Sequence, residues 1–165
     1  MAVKLVGKDI ADVDVKDLLK KLTTAFADEW SAYYQYWLGA QIAKGVMRPA
    51  IVAELVQHAG EELAHAQMIT DRIIQLGGVV KMLPSEWEKF AGCKYNAVKS
   101  ESSKIILQEN IKGEQCAIKF YNSLLNDVYG KDFVTANIIS KILEDEVTHE
   151  QDLVMLLEDL ENCCK

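Results

Sequence analysis

Four long stretches of this chain repeat apolar residues at helical spacing, and an acidic side chain interrupts the apolar stripe of each. They run from about Asp14 to Lys44, from Pro49 to Leu76, from Val98 to Tyr129 and from Lys131 to Glu161. Only two prolines, Pro49 and Pro84, occur in 165 residues, so little breaks these segments. Asp14 is a side chain suited to cap the first helix, and Gly45 is a stop. Pro49 suits the first turn of the second helix, Gly77-Gly78 its end, and Gly130 separates the third from the fourth. No strand-like alternation of useful length competes with this all-α reading.

The links between the segments are unequal. KGVMRP joins the first two and Gly130 the last two, and short links make antiparallel neighbours. Residues 78–97, GVVKMLPSEWEKFAGCKYNA, are long enough to cross the length of a bundle, with a short helix starting at Pro84. The expectation is a single domain over residues 1–165: a four-helix bundle of two antiparallel hairpins joined by one long crossover. With half the residues hydrophobic, such a bundle has material for a sizeable core. Spacing hints at an internal repeat. Glu62 follows Glu29 by 33 residues and Glu146 follows Glu114 by 32, while Tyr36 and Tyr121 each lie seven residues after Glu29 and Glu114.

Charge and composition exclude several classes. The net charge of −7 argues against nucleic acid as the main partner, since that binding rests on clustered Lys and Arg. Five lysines in the first 21 residues are interleaved with four aspartates, as in a solvated mixed-charge segment. No apolar run approaches the ~20 residues that span a bilayer, and the N-terminal residues lack the apolar stretch of a signal peptide. The expected location is cytoplasmic. Cys93, Cys116, Cys163 and Cys164 make no CxxC pair, so a zinc knuckle or rubredoxin-type site is not expected.

The candidate chemistry lies in two Glu-x-x-His pairs, Glu62/His65 and Glu146/His149. Residues three apart share a helix face, so each pair presents a carboxylate and an imidazole to one point. Both pairs interrupt inward stripes: Ile51, Leu55, His58, Glu62, His65, Ile69, Ile73 and Leu76 in one, and Ile139, Ile142, Glu146, His149, Leu153, Leu156 and Leu160 in the other. Glu29 shares a stripe with Leu22, Tyr33, Tyr36 and Ala40, and Glu114 with Leu107, Ile111, Ile118, Tyr121 and Leu125. A buried unpaired carboxylate costs several kcal/mol, so four of them converging need a counter-charge. Two divalent cations supply it: four carboxylates, two neutral imidazoles and two Fe2+ sum to zero. The alternative is that all six polar residues lie on helix surfaces, which would turn their apolar stripe-mates outward as well.

One Glu, then ExxH, one Glu, then ExxH on four successive helices resembles the ferritin-like di-iron carboxylate superfamily. The segment EWSAYYQY at 29–36 looks like the first helix of bacterioferritins, and the resemblance covers about residues 14–161. It implies that Glu62 and Glu146 bridge two irons per subunit, with Glu29 and His65 completing one and Glu114 and His149 the other. Two features depart from bacterioferritin. Leu63 stands where that family has a haem-ligating Met, so no haem is expected there, and the chain stops after the fourth helix without a fifth C-terminal one. The shorter form resembles the Dps-like ferritins called thioferritins, which implies a cage of 12 subunits and a cysteine pair near the metals. That pair would be Cys93 in GCKY and Cys116 in KGEQCAIKFY, a candidate redox pair. Cys116, two residues after Glu114, faces away from the irons, toward the crossover.

The resemblance implies a ferroxidase that oxidises Fe2+ with hydrogen peroxide or dioxygen, stores iron as mineral and protects against oxidative stress. Two alternatives stay open: a non-storage di-iron or di-manganese peroxidase or catalase, and a metal-free structural or DNA-compacting shell. Manganese or zinc suits the same ligands. His58, one turn before Glu62 on the same face, is either a neighbour of the metal ligands, an entry ligand for the metal or a hydrogen-bonded core histidine, and Cys163 and Cys164 carry no assignment.

Overall fold

The computed structural model describes residues 6–94, 96 and 100–163. Four long helices carry the fold: α1 (Val15–Ile42), α2 (Arg48–Gln75), α4 (Ser103–Val128) and α5 (Phe133–Cys163). A single 3-10 turn, Pro84–Glu86, leads into the short α3 (Trp87–Phe90) within the crossover. The described residues contain no strand, only an isolated bridge between Lys44 and Ser102. Val98, the expected start of the third long helix, and Cys164 lie outside the described residues; residues 100–102 are not helical, and the helix begins at Ser103, with Ser102 at its cap position.

Local chemistry sets the helix ends. The Asp14 carboxylate accepts the Lys16 and Asp17 N–H groups, meeting two donors that α1 cannot satisfy internally. Pro49 sits in the first turn of α2, and Gly77 follows that helix with φ +84°, a left-handed conformation open to glycine. Gly130 does the same after α4, at φ +75°. At the start of α5, Asp132 Oδ1 accepts the Thr135 N–H at 3.0 Å.

α1 packs against α2, and α4 against α5; α1 also faces α4, and α2 faces α5. The four long helices thus stand at the corners of a square, with the α1–α4 gap and the α2–α5 gap on opposite sides. All eight residues of the expected α2 stripe are buried. The apolar core divides in two. One half gathers Leu22, Phe26, Ile69, Ile73, Ile139 and Ile142, and the other Ala40, Ile51, Leu55, Ile106, Leu107 and Leu153. At roughly 1.5–3 kcal/mol for each large apolar side chain buried, these halves supply what a polar layer between them costs.

Two cross-links reach beyond the apolar packing. Buried Arg72 of α2 donates to Asp132 and to the Thr135 hydroxyl, both at 2.7 Å, tying α2 to the start of α5. Cys93 of the crossover is joined to Cys116 of α4, with Cα atoms 5.8 Å apart.

Candidate metal centre

Glu29 of α1, Glu62 and His65 of α2, Glu114 of α4, and Glu146 and His149 of α5 are all buried, each at most 3 % exposed, and they meet between the two halves of the core. Their ligand atoms fall into two groups, Glu29/Glu62/His65/Glu146 and Glu62/Glu114/Glu146/His149, each within 4.8 Å. Glu62 and Glu146 belong to both.

The geometry follows from which oxygen faces which ring. His65 Nδ1 lies 3.3 Å from Glu29 Oε2, 3.6 Å from Glu62 Oε2 and 3.4 Å from Glu146 Oε1. His149 Nδ1 lies 3.2 Å from Glu62 Oε1, 3.5 Å from Glu146 Oε2 and 3.9 Å from Glu114 Oε2. The two shared carboxylates therefore turn one oxygen to each histidine. Each of the six residues also keeps at least one buried atom with no hydrogen-bond partner: Glu29 Oε2, Glu62 Oε1, His65 Nδ1, Glu114 Oε2, Glu146 Oε1 and His149 Nδ1. Such orphaned atoms are costly in a protein interior. Two ligand atoms about 2.1 Å from one ion stand about 3.0 Å apart at a right angle and about 3.4 Å apart at the tetrahedral angle. Most of the separations around each Nδ1 are close to that range, so the donor set fits a divalent first-row cation on each side.

A second layer orients these groups, and it crosses between the hairpins. His65 Nε2 is 3.2 Å from Asp145 Oδ2, and His149 Nε2 is 2.8 Å from Glu61 Oε2. The Tyr36 hydroxyl donates to Glu114 and the Tyr121 hydroxyl to Glu29. Each half of the repeat thus braces a residue of the other. Asp145 and Glu61 escaped the sequence reading, although a signal existed: each immediately precedes the glutamate of its ExxH pair, in EELAH and DEVTH.

Electrostatics separate the four carboxylates into two kinds. Burial drives Glu29 and Glu114 well above the usual carboxylate range, reinforced by the charges of Glu62 and Glu146. Burial works on Glu62 and Glu146 too, but the nearby His149 and His65 outweigh it and hold both low. The histidines show the complement. Burial opposes their charge, yet the surrounding carboxylates raise His65 strongly and push His149 up to about 10. His58 behaves otherwise: burial, with the neighbouring His149, lowers it to about 4.

On the α1–α4 side a cavity of about 40 Å³ reaches the centre, lined by Asp28, Gln35, Cys93, Asn110, Glu114 and Glu146 among others. That is room for a few water-sized molecules. Asp28 accepts the Cys93 N–H at 2.8 Å, and burial lifts its carboxyl to about 7 despite that bond and another from the Gly92 N–H. The Cys93–Cys116 bond lies beside this cavity.

Comparison with known proteins gives a consistent relationship. The Ferritin family profile, described as a ferritin-like domain, matches residues 19–163. A protein of Pyrococcus furiosus named DNA protection during starvation protein is 31% identical over 140 residues, covering 84% of this chain and 75% of its own length. A bacterioferritin-related protein from Bacteroides fragilis, described as a dodecameric thioferritin, superposes with a TM-score of 0.90 at 43% identity, over 92% of this chain and 90% of its own. Dps from Thermosynechococcus elongatus shares the fold with a TM-score of 0.81 at 17% identity, over 86% of this chain and 90% of its own.

Proposed function

The chain belongs to the ferritin-like family, and on that footing we propose that it is a cytoplasmic iron-storage ferroxidase, working as a cage of identical subunits. Fe2+ is its substrate and its cargo. One observation carries the reading: the six residues each keep an orphaned buried atom, and two of them turn an oxygen to each of two histidines.

In this reading Glu29 and His65 hold one Fe2+, Glu114 and His149 hold the other, and Glu62 and Glu146 bridge them. The four carboxylates cancel the charge of two divalent ions, so the pair enters a buried site without leaving net charge there. Asp145 and Glu61 accept the outer N–H of His65 and His149, which fixes each ring with Nδ1 toward the metal. Tyr36 and Tyr121 hold Glu114 and Glu29 in orientation. Oxidation by hydrogen peroxide takes one electron from each of two Fe2+ and two protons to give water; dioxygen serves as the other oxidant. The α1–α4 cavity is the approach for either small molecule. Consuming peroxide together with Fe2+ removes both reactants of Fenton chemistry, which gives the protective role.

Support for a cage comes from the similarity to the dodecameric thioferritin and from apolar side chains on the outer faces of α1 and α2. Val56 and Leu63 are exposed, as is Trp37, whose ring stacks on Tyr34. No helix among the described residues is long and apolar enough to cross a membrane. The test is native mass together with iron analysis after aerobic loading. Twelve subunits with iron far beyond two per chain is the expected result. A small oligomer that stops at two metals per chain would favour a non-storage peroxidase or catalase, and a particle that takes up no metal would leave only a structural or DNA-compacting shell.

A further inference from the structure

On the α2–α5 side, opposite the cavity, lies a group of ligand-type side chains that the two-metal centre does not use. His58 sits one turn before Glu62 and is 0 % exposed. Its ring stacks on His149 with centroids 4.1 Å apart and meets Tyr36 edge-on. Neither ring nitrogen has a hydrogen-bond partner. Nε2 is aimed between two carboxylates, 3.0 Å from Glu54 Oε1 and 3.9 Å from Asp152 Oδ2, without the alignment of a hydrogen bond to either.

These three residues come from two helices. Glu54 is one turn before His58 on α2, and Asp152 lies three residues after His149 on α5. Ligand atoms of Glu54, His58 and Asp152 lie within 4.8 Å of one another. The carboxylates are partly exposed, at 27 % and 38 %, while the imidazole is wholly enclosed, so the group opens outward from a buried nitrogen. A second group, His58/Glu61/His149, overlaps the first through His58 and adjoins the two-metal centre through His149.

We propose that Glu54, His58 and Asp152 form a third divalent-cation site on the α2–α5 face. One imidazole and two carboxylates suit first-row ions such as Fe2+, Mn2+, Co2+ or Zn2+. Three protein ligands leave positions for water, which makes the ion exchangeable rather than structural. The site extends the reading of the centre as a place where iron is handled, but it rests on its own orphaned histidine and is tested separately.

The experiment uses crystals of the assembled protein soaked in Co2+, with anomalous difference maps at the cobalt edge. The expected result is a third peak about 2.0–2.2 Å from ligand atoms of His58, Glu54 and Asp152, besides two peaks at the centre. Glu54→Gln and Asp152→Asn, at partly exposed positions that preserve the fold, lose the third peak and keep the other two. Crystals with two filled central sites and nothing at His58 overturn the proposal, leaving His58 as a core histidine beside Glu54. A third peak that persists in both variants overturns it as well. A peak at His58 beside an empty centre upholds the third site and defeats the two-metal reading instead.

Discussion

Loading the two-metal centre should expel about four protons per chain, and binding should strengthen steeply as pH rises. With metal removed, Glu29 and Glu114 are held protonated by burial, and His65 and His149 are held protonated by the carboxylates around them. Glu62 and Glu146 stay ionised. Two negative carboxylates and two imidazolium rings sum to zero. Two divalent ions with four carboxylates and two neutral imidazoles also sum to zero, so the exchange is about four H+ for two cations. The sign follows: raised pKa values mean that protons compete with metal through neutral pH and lose as pH climbs toward the His149 value of about 10. Affinity for the pair therefore rises with pH for as long as these groups hold their protons in the metal-free protein. The assay is a weakly buffered titration of iron-free protein with Zn2+ in a pH-stat, cross-checked by calorimetry in buffers of different ionisation enthalpy. Release of fewer than two protons per pair, or affinity independent of pH between 6 and 8, would refute this charge distribution.

Four further outcomes are expected. Glu62→Gln and Glu146→Gln each remove a shared charge at constant volume, so stopped-flow oxidation should lose its rapid phase while circular dichroism stays native; a wild-type rate in either would refute the bridging role. Asp145→Asn and Glu61→Gln should weaken metal binding by about 10–100-fold, and dialysis against Zn2+ that shows no change would remove them as orienting groups. Arg72→Met leaves the buried Asp132 uncompensated and should cost about 3–5 kcal/mol in urea unfolding; a loss under about 1 kcal/mol, within the range of an exposed pair, would count against the α2–α5 tie. Reducing Cys93–Cys116 should cost about 3 kcal/mol by the chain-entropy estimate, and peroxide should restore the bond, read by alkylation and peptide mapping; thiols that stay alkylatable after peroxide would contradict a reversible pair.

Periodicity exposed the helices because each long stretch keeps an apolar side, and breakers at Pro49, Gly77 and Gly130 marked their ends. The α2 stripe is buried throughout, whereas α4 is turned so that Ile106, Asn110 and Leu124 are buried and Ile111, Ile118 and Leu125 are only half-buried. Charged residues inside those stripes, Glu62 and Glu146 above all, stood out because an apolar face tolerates them only with a partner. The outer layer was harder to see. Asp145 and Glu61 are half-exposed acids on helices rich in such residues, and nothing in the spacing says which histidine of the opposite hairpin each will meet. Tyr36 and Tyr121 share apolar stripes, a position that suits packing as well as a hydrogen bond to a ligand, and their crossed bonds to Glu114 and Glu29 depend on the hairpins packing face to face. Arg72 resembles a surface residue in sequence, yet it is 1 % exposed because Asp132 and Thr135 receive it.

Two irons that share Glu62 and Glu146 should be oxidised together. Stopped-flow mixing of iron-free, assembled protein with increasing Fe2+ in the presence of peroxide tests it most directly. The amplitude of the fast ferric absorbance should rise in proportion to iron, break at two Fe2+ per chain, and vanish in the Glu62→Gln/Glu146→Gln double variant. A break at one iron per chain, no break at all, or an undiminished fast phase in the double variant would rule out a shared two-iron site.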